Sequence, residues 1–122
     1  TRETLMIKKT IIAFSLLGVI VAAPLWAHAK LQSSKPADHA QLSEAPKSIT
    51  LQFNESAKLA LLKLTTGGKE ISVPVDKNAK PSQSFTIDLP ALAAGKYVVQ
   101  WTAVAADDGH VTKGTFDFSI AG

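Results

Sequence analysis

The chain has 122 residues, no cysteine and one methionine, with 13 basic residues against 10 acidic ones. Without cysteine there is no disulfide and no thiolate metal site. Arg2 is its only arginine and the lysines are scattered, so the basic stripe that nucleic-acid binding requires is missing.

The first element is a leader. Lys8 and Lys9 form a positive segment, Ile11 to Ala23 is an apolar run broken by Ser15 and Gly18, and small residues follow Pro24. That is the form of a secretory signal over residues 1–27, too short before Pro24 for a comfortable membrane span. Thr1 to Leu5 precede Met6 and fit no signal feature. Two cleavage points compete. Ala27-His28-Ala29 would leave Lys30 first and fits the small-x-small rule slightly better, whereas Leu25-Trp26-Ala27 would leave His28 first. Removing residues 1–27 takes away Arg2, Lys8, Lys9 and Glu3, so the net charge falls from +3 to +1. One small domain, 28–122, remains, with neither cysteine nor methionine.

In that domain the apolar period is two. Ala29 to Ser34 reads as an entry strand ending before Pro36, and Lys35 to Lys47 as a loop. Ile49, Leu51 and Phe53 alternate with polar residues, and a separate strand is expected over Lys58 to Thr65. Thr66-Gly67-Gly68-Lys69 is a hairpin signal leading to a strand over Glu70 to Val75, with Pro74 marking an edge. Further alternation runs through Phe85, Ile87 and Leu89, then Tyr97, Val99 and Trp101, then Phe116, Phe118 and Ile120. Loops are expected over Asp76 to Gln83, Pro90 to Lys96 and Ala106 to Lys113. About seven short strands with turn signals between them predict an all-β, antiparallel sandwich.

Chemistry concentrates at the two ends of this domain. As a free N-terminus, His28 offers its α-amine and ring Nδ1 to one metal; both can be unprotonated near neutrality once a metal competes. In the loop, Asp108 and His110 stand at i and i+2 around Gly109, which in an extended segment points both side chains one way. Combined, the ends supply three nitrogens and one oxygen, a set suited to tetragonal Cu(II); Zn²⁺ could use the same ligands in tetrahedral form. Cu(I) favours sulfur, which this domain lacks. His39 lies in a turn-rich loop and reads as an exposed histidine or an auxiliary ligand. Glu55 and Asp88 read as isolated carboxylates facing solvent or capping, and Ser33 and Ser34 lack a nucleophile context.

The start His28-Ala-Lys-Leu-Gln-Ser-Ser-Lys-Pro-Ala resembles the mature N-terminus of the CopC family of periplasmic copper-binding proteins. Gly95-Lys-Tyr-Val-Val-Gln-Trp101, followed by Asp108-Gly-His110 and Gly114, resembles that family's other signature. The resemblance implies a seven-stranded Greek-key fold related to cupredoxin and immunoglobulin-like domains. It favours cleavage before His28, and implies one Cu(II) bound by His28, Asp108 and His110. The Met-rich Cu(I) site of some members does not carry over, and Val111 stands where the family often has proline. By the same resemblance the protein is a periplasmic, monomeric copper carrier or store rather than an enzyme, with an inner-membrane CopD-type uptake protein as partner. Two other readings stay open. One is a histidine-brace copper monooxygenase, which also needs an N-terminal and a second histidine. The other is a metal-free immunoglobulin-like interaction module.

Overall fold

In the computed structural model, residues 29–122 are described. Alternation becomes strand wherever it is long. Tyr97, Val99, Trp101, Ala103 and Ala105 are all buried along one face of β6 (Gly95–Ala105), and Phe116, Phe118 and Ile120 along β7 (Val111–Ile120). The remaining strands are β1 (Leu31–Lys35), β2 (Ala40–Leu42), β3 (Ser48–Thr66), β4 (Lys69–Ile71) and β5 (Ser82–Asp88). Among the described residues there is no helix, and none long and apolar enough to cross a membrane. The all-β, seven-stranded expectation holds.

The strands expected over 49–53 and 58–65 are a single strand. β3 runs 19 residues through Asn54-Glu55-Ser56, a polar stretch that hides its continuity in the sequence. Its first half pairs with β1 and β5, and its second half with β6 and β4. A strand that changes partners in this way forms the corner of a two-layered sandwich. The pairing with β6 shifts register between Leu59 and Leu61, as at a bulge. Burial parity flips there: Ile49, Leu51, Phe53, Ala57 and Leu59 are buried, then Leu62 and Leu64, while Leu61 is left 47% exposed.

The segment expected as a loop over 35–47 contains β2, which pairs with β7 in parallel: Ala40 opposite Phe118 and Leu42 opposite Ile120. Three residues are too few to show a period. The Thr66–Lys69 hairpin forms as expected. Gly67 and Gly68 take φ of 54° and 79°, the positive pair that a tight two-residue hairpin turn requires. β4 ends at Ile71, short of the expected strand end, and Pro74 lies beyond it.

Aromatic rings close the core. Phe53 meets Trp101 edge-on at 5.3 Å and Phe85 at 5.9 Å, and Tyr97 stacks on Phe118 at 5.3 Å. Trp101 and Gly114 are register partners, and the indole covers the glycine so closely that a Cβ there would lie 2.5 Å from Cζ2. At this position the glycine is needed for space rather than for an unusual backbone angle.

Candidate metal centre

Three segments converge at one end of the sandwich: the start of the described chain, the β3 corner and the β6–β7 connection. Lys30 N–H donates to Asn54 Oδ1 (2.6 Å), and Asn54 N–H returns a bond to the Lys30 carbonyl (3.0 Å). Ala106 N–H donates to the Ser56 carbonyl (3.0 Å). Thr112 Oγ1 donates to the Ala29 carbonyl (2.7 Å), and Ala29 is fully buried. The residue after His28 is therefore bonded to β7 two positions beyond His110. His28 itself lies outside the described residues, as do the leader and both cleavage points.

Asp108 and His110 do meet, though not by the extended i, i+2 route. Residues 106–108 form a turn, and Gly109 takes φ +74°. Gly109 N–H donates to the Ala105 carbonyl (3.0 Å), and Ala105 N–H donates to the His110 carbonyl (2.9 Å), closing the hairpin. The side chains come together because Asp108 caps this turn. Its Oδ1 accepts from His110 N–H at 3.0 Å and its Oδ2 lies 2.7 Å from His110 Nδ1. These contacts, the backbone bond first and the imidazole second, hold the Asp108 carboxyl below the usual carboxylate value of 3.8. Each carboxylate oxygen accepts one bond and so retains lone-pair capacity toward a cation. A metal bound with the Asp108–His110 contact intact would take Nε2 of the ring, as in a carboxylate–histidine–metal arrangement.

Glu55 is the residue that sequence reasoning missed. It is half-buried rather than solvent-facing, and Oε1 is a buried side-chain oxygen with no hydrogen-bond partner among the described residues. Its neighbours Asn54 and Ser56 are the residues that hold the chain start and the metal loop. An orphaned carboxylate oxygen in that place is costly unless a cation or donor meets it. The Asp108 carboxylate and the His110 imidazole nitrogen are donors that fit a divalent metal. A glutamate inside an alternating run, where an apolar residue is expected, was the available signal.

His39 is not part of this centre. It precedes β2, and its backbone N–H donates to the Asp117 carbonyl (2.7 Å), near the far end of β7. Asp117 lies seven residues along from His110, or about 20 Å at strand rise. The auxiliary-ligand reading of His39 therefore falls. Instead Nδ1 is 3.0 Å from Asp117 Oδ1 and Nε2 is 3.4 Å from Asp38 Oδ2, on an exposed ring with φ +66°. The bond to Asp117 first, and the charges of Asp117 and Asp38 next, raise the His39 pKa above 6.5; Lys96 opposes them. Protonated His39 thus stabilises the folded chain. That contribution is full below 6.5, where the unfolded histidine is also charged, and is lost as pH rises through the higher folded value. Thermal unfolding of the wild type and His39→Asn (a residue that tolerates this backbone) should therefore differ more at pH 6 than at pH 8. A difference independent of pH would mean that these ion pairs contribute nothing.

A family model described as the CopC domain matches residues 31–121. The chain belongs to the CopC family. Its relatives include Protein YobA of Escherichia coli strain K12, 35% identical over 106 residues that cover 83% of this chain and 85% of that protein. Copper resistance protein C of Xanthomonas campestris pv. juglandis is 34% identical over 113 residues, covering 83% and 86% of the two chains. Among solved structures, CopC from Methylosinus trichosporium OB3b superposes with a TM-score of 0.66 at 26% identity, covering 77% of this chain and 94% of the other. PcoC, a methionine-rich copper resistance protein from Escherichia coli, gives 0.62 at 32% identity, covering 77% and 99%. A CopC member has a copper-related role, and copper is the metal against which this centre is read.

Proposed function

We propose that this CopC protein binds one Cu(II) in the periplasm, for copper storage, tolerance or delivery. His28 supplies its amine and ring, His110 its imidazole and Asp108 its carboxylate, with the orphaned Glu55 oxygen as a further donor. Cleavage before His28 is part of this reading. The observation that carries it is the Thr112–Ala29 hydrogen bond, which ties the residue after His28 to the strand that follows His110. Three nitrogens with carboxylate oxygens suit Cu(II), and no sulfur is offered to Cu(I). The role is binding rather than catalysis, because Asp108 as a ligand would occupy a position that a histidine-brace oxygenase needs open. By family resemblance the protein acts as a monomer and exchanges copper with an inner-membrane CopD-type protein.

The test is competition with chromophoric chelators specific for each oxidation state, on processed protein whose first residue is fixed by intact mass. One tight Cu(II) site and weak Cu(I) binding are expected. Tight Cu(I) binding by the monomer would overturn the oxidation-state assignment. No Cu(II) binding at all would favour the metal-free interaction module.

A further inference from the structure

Among the described residues, Leu61 and Val111 are the two large apolar side chains that stand exposed. They share the outer face of the β3–β6–β7 layer, at the end that carries the 106–110 loop. In the row next to that loop Lys58, Val104 and Val111 are register partners, and in the next row Leu61, Thr102 and Lys113 are. Each exposed apolar side chain therefore has a lysine one row away on its own strand: Lys58 before Leu61 on β3, and Lys113 after Val111 on β7. Val104, half-buried, lies between the two strands on β6. No acidic residue stands in these two rows. Asp117 enters only in the fourth, opposite Val98, and Asp107 and Asp108 lie past the loop end. In the third row Lys63 is paired with Glu70 at 3.6 Å, whereas Lys58 and Lys113 have no ion pair among the described residues. Neighbouring exposed apolar groups flanked by charge of one sign mark a contact surface.

We infer that this face docks peripherally on an anionic phospholipid surface. Charge and size select that occupant. A second copy of the chain would set lysine against lysine. A stable protein interface buries about 800 Å² on each partner, and two rows across three strands span only on the order of 100 Å². A lipid surface asks for less. An aliphatic side chain enters among the headgroups, the stem of the lysine beside it lies along the same boundary, and its ammonium meets a phosphate. Seated in this way, the protein holds the 106–110 loop, which Val111 follows directly, close to the membrane. The face uses none of the proposed copper ligands, so it is tested apart from them.

The experiment is flotation of the processed, copper-free protein with vesicles of phosphatidylglycerol and phosphatidylethanolamine, and with vesicles of phosphatidylcholine alone. Binding to the anionic vesicles only is expected, weakening as salt rises from about 0.05 M to about 0.5 M. Lys58→Gln with Lys113→Gln should lower that affinity about thirtyfold at the lower salt. Leu61→Thr with Val111→Thr should lower it about tenfold. Lys77→Gln with Lys80→Gln removes the same charge from the exposed connection before β5 and should change it less than about threefold. All the substituted side chains but Leu61 and Val111 are charged, all are exposed, and Trp101 fluorescence reports folding in each variant. No affinity for the pure-lipid vesicles would overturn the inference and leave an acidic protein surface as the occupant. Equal losses from the two lysine pairs would reduce the effect to net charge and overturn it as well. So would undiminished binding after Leu61→Thr with Val111→Thr, or a dimer in sedimentation that Leu61→Thr dissociates, which would make the face a contact between copies.

Discussion

A single glycine placed before His28 is expected to weaken Cu(II) binding by roughly two or more orders of magnitude while leaving the fold intact. The extension converts the α-amine into a peptide nitrogen, a poor ligand unless it loses its proton. The new amine is carried away from the metal, and His28 keeps its ring but loses the chelate. The core is insulated from the change. Phe53, Trp101 and Phe116 are buried among strands that begin at Leu31, and the chain start is pinned at Ala29 and Lys30, after the altered residue. Trp101 is the only tryptophan after residue 27, so its fluorescence reports folding in both proteins. Chelator competition beside a thermal melt is the measurement. Equal Cu(II) affinity at equal stability would remove the amine from the ligand set.

His110→Ala is expected to have the next largest effect, about a hundredfold loss of Cu(II) affinity. The substitution removes an imidazole but not the hairpin. The 2.9 Å bond from Ala105 N–H is to the His110 carbonyl and the 3.0 Å bond to Asp108 is from its amide, and alanine keeps both groups. Asp108→Ala should also weaken binding, since it removes both a carboxylate donor and the group that orients the ring through Nδ1. Asp107→Ala and His39→Ala should change affinity little. Asp107 is exposed in the turn, and His39 is engaged with Asp38 and Asp117 near the opposite end of β7. Isothermal titration of the four variants would rank them. A larger loss from Asp107→Ala than from Asp108→Ala would mean that the wrong carboxylate has been assigned.

Most of the fold was legible because burial follows parity. Tyr97 to Trp101 and Phe116 to Ile120 alternate cleanly, and they are strands. What escaped notice did so for physical reasons. β2 is three residues long and takes its geometry from β7, not from its own pattern. β3 crosses a polar corner and then a bulge, so a single strand carries two parities and looks like two strands. The meeting of Asp108 and His110 was legible, but its mechanism was not. Their contact depends on a glycine at φ +74° and an aspartate capping its own turn, and spacing alone does not distinguish that from an extended run. Glu55 was passed over because a lone carboxylate is usually solvated. Its buried, unpartnered oxygen shows only in the structure, where Asn54 and Ser56 on either side of it bond the chain start and the 106–110 turn. Conversely, three donors of Asp38, His39 and Asp117 lie within 4.8 Å of one another with no sequence spacing to announce them. There the two ring nitrogens face different carboxylates, an arrangement that serves a proton better than a metal.

That second cluster makes the location of the metal the measurement that decides between the two ends of β7. Crystals of the processed protein, loaded with one equivalent of Cu(II), should be measured at the copper absorption edge. A single anomalous peak is expected between the first residue, His28, and the Asp108–His110 loop. A peak at Asp38, His39 and Asp117, or one bound only by the loop with His28 turned away, would contradict it.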